Sequence, residues 1–114
     1  MRDTFIPSFI LTFFLITTVA AQPMQGQELY NYLEEYLKVQ NGYEGNSIKA
    51  GMFLGYIRGI LDALDGTALC IPNNIPLERI LQQVITGIND HHQSQRNVAR
   101  NLVLEALRSQ FACR

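Results

Sequence analysis

The chain has 114 residues, a net charge of −1 and two cysteines. That length allows one domain with a modest core. Nine basic and ten acidic residues leave no basic excess for a nucleic-acid surface and no long acidic tract.

The first segment opens with Met1-Arg2-Asp3-Thr4, continues as an apolar run from Phe5 to Val19, and leaves through Ala20-Ala21-Gln22. A short charged start, an apolar middle and a small-residue exit are the anatomy of a secretory signal peptide. Val19 and Ala21 suit the positions before a cut at Gln22. The apolar run is shorter than the roughly 20 residues a spanning helix needs, and Pro7, Ser8 and several threonines dilute it. The expectation is therefore a cleaved leader over 1–21 and an exported domain over 22–114, with no membrane segment after cleavage.

Four segments of the exported part repeat with a helical period, and none alternates as a strand does. The first spans about 27–40, with Leu29, Leu33, Tyr36 and Leu37 on one face, and ends at the turn pair Asn41-Gly42. The second spans about 47–64, with Asn46 or Ser47 as its cap. Its high apolar content predicts the central, most buried helix, and Gly66 follows it. The third starts at Pro76, whose missing N–H suits a first helical position. Leu77, Ile80, Leu81, Val84, Ile85 and Ile88 form its stripe, the cleanest amphipathic pattern in the chain. The last spans about 95–111, with Ala99, Leu102, Val103, Ala106, Leu107 and Phe111 on its buried face. The predicted fold is all-α, a small four-helix domain packed as an orthogonal or irregular bundle.

Cys70 lies in the loop after the second helix and Cys113 just past the last. In an exported chain, two cysteines most simply form one disulfide. A loop of this length gives roughly 4 kcal/mol in the chain-entropy picture. The bond would bring the loop leaving the second helix beside the end of the fourth.

Gly51, Gly55, Gly59 and Ala63 stand four residues apart on the second helix. Each glycine costs about 1 kcal/mol relative to alanine inside a helix, so their recurrence points to a smooth face. Two uses remain open: close helix packing inside the domain, or the seam of a homodimer. His91-His92 is a poor chelating pair, because neighbouring residues on a helix project about 100° apart. Asp62 and Asp65 sit three apart and read as helix-end solvation, or as a local pair of Asp62 with Arg58. Nothing resembles a nucleophile elbow, a phosphate-cradling glycine loop or a Cys-x-x-Cys pair. The residues thus predict no catalytic site, no metal and no cofactor.

The run Gly51-Met52-Phe53-Leu54-Gly55-Tyr56-Ile57-Arg58-Gly59-Ile60-Leu61-Asp62-Ala63 is distinctive. With Cys70-Ile71-Pro72, and with Leu102 to Leu107 closing on Phe111-Ala112-Cys113, it resembles the Rap/Tai immunity-protein family over about 29–113. The resemblance implies a small periplasmic helical domain, often a homodimer. It implies binding and inhibition of a peptidoglycan-cleaving amidase effector delivered by type VI secretion, which protects the producing cell.

An inhibitor of that kind needs a rigid face with a few buried anchors. The candidate contact residues are the outer face of the third helix and its following turn: Arg79, Gln82, Gln83, Thr86, Asn89, Asp90, His91 and His92. Asn73 and Asn74 in the preceding loop are the second choice. The alternatives are a small periplasmic acid-stress chaperone, triggered through carboxylates and histidines, or another exported helical adaptor.

Overall fold

The structure is a computed structural model that describes residues 21–90 and 97–114. The expected leader therefore lies outside the described residues, apart from Ala21. The described chain is all-helical, with α1 over Gly26–Gln40, α2 over Ser47–Leu64, α3 over Leu77–Asp90 and α4 over Ala99–Phe111. Two helix pairs, α1 with α2 and α3 with α4, carry most of the packing, and α1 also contacts α4.

The first pair forms because α1 offers Leu29 and Leu33, one turn apart, to Phe53, Ile57 and Ile60 of α2. The Tyr36 and Phe53 rings meet at 5.1 Å with a 40° tilt, a favoured aromatic geometry. Gly42 ends α1 in the left-handed region at φ 77°. There Gly42 and Tyr43 donate to the carbonyls of Val39 and Lys38. Asn46 caps α2, its side-chain oxygen accepting from the Lys49 amide at 3.1 Å. The linker is pinned back onto α1 by Glu35, whose carboxylate accepts from the Asn46 amide at 2.7 Å and from Lys38 Nζ at 3.1 Å. Those bonds, the Asn46 one first, hold the Glu35 carboxyl below its ordinary pKa.

α2 is not the most buried helix, contrary to the expectation from its composition. Only Ala50, Phe53, Ile57 and Ile60 are buried, and Ile48 is 76% exposed. The core leans instead on α3 and α4. Ile80, Leu81, Val84, Ile85 and Ile88 of α3 face Ala99, Val103, Leu107 and Phe111 of α4 in one cluster with the α1–α2 residues.

Two boundaries differ from the sequence-based expectation, and the larger difference, at α4, has a tertiary cause. α1 and α4 start without a side-chain cap. Their first amides are met by each other's backbone: Gly26 donates to the Asn97 carbonyl at 2.7 Å and Ala99 to the Met24 carbonyl at 2.9 Å. The approach to α4 is thus a short extended bridge between Gln25 and Val98, and the helix begins at Ala99 instead of near Gln95. α3 begins at Leu77, one residue past Pro76, whose carbonyl accepts from Arg79 at 3.1 Å.

Cys70 and Cys113 form the expected disulfide. The loop after α2 is drawn against the end of α4 by more than that bond. Leu69 pairs with Ala112, and Cys70 donates to the Phe111 carbonyl at 2.7 Å. Leu69 itself is fully buried, a core residue that the turn-like sequence around it concealed. Asp65 stands at the C-terminal end of α2 as its cap, and its Oδ1 accepts from the Ile71 amide at 2.9 Å. Among the described residues, Lys38 and Glu35 form the ion pair; Arg58 and Asp62 do not.

Breaking the disulfide removes the covalent tie between these segments. Reduction, or Cys70→Ala, is expected to lower stability by about 2–5 kcal/mol and the melting temperature with it. An unchanged melting temperature on reduction contradicts this role.

Candidate functional site

Arg79, Gln82, Gln83 and Thr86 recur at i, i+3, i+4 and i+7 on α3, so they form a stripe beside the apolar one. The structure brings all four into one groove of about 480 Å3, together with Ile75, Gln110 and Phe111. α3 supplies one wall and the C-terminal turn of α4 the other. The floor is apolar through Ile75 and Phe111, and the rims are polar through three glutamines, a threonine and an arginine. Gln83 Nε2 reaches the Ala106 carbonyl at 3.5 Å, a long bond that leaves its amide available. The Arg79 side chain is exposed, and its guanidinium makes no hydrogen bond or ion pair to another described residue.

The other candidates on this side fall around the groove. Asn89 and Asp90 are exposed at the C-terminal end of α3, beyond the groove's lining. Asn73 and Asn74 are exposed in the turn that Ile75 closes by donating to the Pro72 carbonyl at 3.4 Å. They flank the groove through Ile75 without lining it. His91 and His92 lie outside the described residues. Gln110 and Phe111 were not anticipated as contact residues. Gln110 is a polar residue on a helix whose neighbour is fixed only by packing, and Phe111 is also core.

The wall-to-wall distance of this groove is set by a residue that the sequence reading passed over. Gly87 of α3 faces Ala106 of α4 so closely that a Cβ there would collide with the Ala106 Cβ and lie 3.0 Å from its Cα. Only glycine permits that approach.

The glycine face of α2 behaves differently. Apart from each glycine's own chain neighbours and the backbone of α2, no described heavy atom lies within 4 Å of where a Cβ on Gly51, Gly55 or Gly59 would stand. Close packing of this face inside the domain is therefore not found among the described residues. Gly55, Gly59 and Ala63 instead floor an open, mostly apolar trough of about 340 Å3, walled by Tyr56, Ile60 and Leu64 with Arg100 of α4 at its rim. Partial burial raises the Tyr56 pKa, and the Arg100 charge opposes that rise. Ile48 and Met52 lie exposed on the same helix.

Among the described residues no group of three or more His, Cys, Asp or Glu side chains is placed to hold a metal ion. No described helix is long and apolar enough to cross a membrane. The groove offers shape, hydrogen-bonding groups and, in Arg79, a guanidinium with no partner among the described residues, the features of a binding surface.

Gly87→Ala raises helix propensity by about 1 kcal/mol and yet forces α3 and α4 apart, at a cost of about 1–3 kcal/mol for overpacking. The expected net result is a lower melting temperature, restored when Ala106→Gly is added. A stabilised single variant, or a pair of changes that simply add, contradicts the close approach.

A family model described as Rap1a immunity proteins matches residues 25–113. No curated protein matches the chain.

Proposed function

We propose that this chain, which belongs to the Rap1a immunity protein family, binds a peptidoglycan-cleaving amidase delivered by type VI secretion and blocks it in the periplasm. Membership makes it an immunity protein against a secreted toxin. The amidase, the delivery system and the compartment are the finer reading. It is supported by the leader pattern over 1–21 and by the Cys70–Cys113 disulfide, a bond that persists in oxidising compartments. The role needs no catalytic residue: inhibition follows when a rigid surface fills a toxin's substrate cleft and excludes the substrate.

The observation that carries the reading is the convergence of Arg79, Gln82, Gln83 and Thr86 on one groove. Helices hold those side chains, and the Gly87–Ala106 contact and the disulfide fix the helices. A surface held this way loses little entropy on docking, which is the main advantage of preorganisation. The resemblance also implied a homodimer, and we assign its seam to the α2 trough, whose glycines no described residue covers. The toxin surface and the seam then share only α4, at its two ends (Gln110 and Phe111 against Arg100), so that both can be occupied together.

Bait made from the oxidised chain is expected to capture a small cell-wall amidase from the source cell's periplasm and secretome, and to abolish its activity at stoichiometric amounts. Thr86→Arg, which places a bulky charge in the groove, is expected to weaken capture by at least about tenfold while leaving the fold intact. Capture that Thr86→Arg does not affect removes the groove from the account. Sedimentation tests the seam: a two-copy mass reduced to one copy by Gly59→Leu supports it, and a one-copy mass for the unaltered chain removes it.

A further inference from the structure

We infer that the α3–α4 groove receives an extended, acidic segment of the partner protein, with a carboxylate seated on Arg79. This rests on the reading of that groove as the toxin-binding surface, and it specifies which part of a toxin would fit.

The charge comes first. Among the described residues Arg79 is the only charged one lining the groove, and none of the others neutralises its guanidinium. A guanidinium carries five donors and no acceptor, so its natural complement is an oxyanion held by two parallel bonds. The neighbouring charges do not supply one. Glu78 is next in sequence and so projects about 100° away around α3. Asp90 lies eleven positions further on, about 16 Å along the axis. On α4, Glu105 and Arg108 line a different depression with Asn101 and Leu104.

The amides decide between kinds of oxyanion. Gln82, Gln83 and Gln110 each present both a donor and an acceptor, and Thr86 does the same through its hydroxyl. Inorganic phosphate near neutral pH is mainly an acceptor, and its one or two O–H groups are too few to serve the glutamine carbonyls as well. A peptide backbone alternates N–H and C=O groups and can satisfy both kinds. An extended peptide also sends alternate side chains to opposite sides. One could lie on the apolar floor of Ile75 and Phe111 while the next turns toward Arg79. The groove's volume of about 480 Å3 falls within the range of sites that take a small ligand.

The test uses the oxidised chain and three probes: acetyl-Ala-Glu-Ala-amide, acetyl-Ala-Gln-Ala-amide and inorganic phosphate. Each is titrated by NMR, following the Arg79 Nε–H and the side-chain amides of Gln82, Gln83 and Gln110. The Glu peptide is expected to bind about fivefold more tightly than the Gln peptide and to move all four signals. In Arg79→Gln that preference disappears. Phosphate is expected to move Arg79 without the glutamines. Equal binding of the two peptides, an unmoved Arg79 signal, or phosphate moving the same four signals as the Glu peptide overturns the inference. The outcome is separable from the toxin reading. A chain that fails the titrations and still captures an amidase through its α3 face loses only the acidic segment. A chain that passes them and captures no amidase keeps the groove chemistry and loses the toxin.

Discussion

Gly87 has no side chain at the point where Ala106 of α4 presses against α3, and the spacing of those two helices follows from that contact. With the helices this close, Val84 and Ile88 on one side and Val103 and Leu107 on the other can be buried in one cluster. The same spacing sets the width of the groove on their outer side, where Gln83 of α3 reaches the Ala106 carbonyl of α4. A side chain at position 87 would push apart core and groove together. The groove proposed to bind the toxin is therefore a consequence of core packing, not a feature laid over it.

Backbone exchanges between distant parts of the chain complete the frame. The entries to α1 and α4 satisfy each other's first amides, so neither helix depends on a side-chain cap. At the other end, Leu69, Cys70 and the disulfide fasten the α2–α3 loop to the exit of α4. That junction brings Ile75 and Phe111 into the lining of one groove. A domain this small has a limited core, and a covalent tie across its last two connections offsets that limit.

Much of this was legible in the sequence because helical periodicity records burial directly. The α3 stripe from Leu77 to Ile88 identified the helix and, by complement, its polar face, so Arg79, Gln82, Gln83 and Thr86 could be named. What failed to show was information held between elements. The true start of α4 depends on pairing between Gln25 and Val98. Gln110 reaches the groove only because of how α4 lies on α3. Leu69 sits in a stretch that reads as a turn, and its burial comes from the disulfide junction. Composition misled for α2: its apolar count is high, but Ile48 and Met52 lie on the outside. Spacing alone left the glycines of α2 open between two uses, and their empty surroundings remove packing among the described residues as one of them. Gly87, the glycine that does mediate close packing, stood alone in its helix and gave no periodic signal.

Central to the proposed function is the use of the α3–α4 groove as the surface that meets the toxin. Hydrogen exchange of the oxidised chain, free and saturated with a captured amidase, tests it most directly. Side-chain contact and exclusion of water at the groove should slow exchange over residues 75–86 and 108–111, with little change along the glycine face of α2. Protection confined to α2, with residues 75–86 unchanged, would contradict the claim and move the toxin-binding surface to the trough.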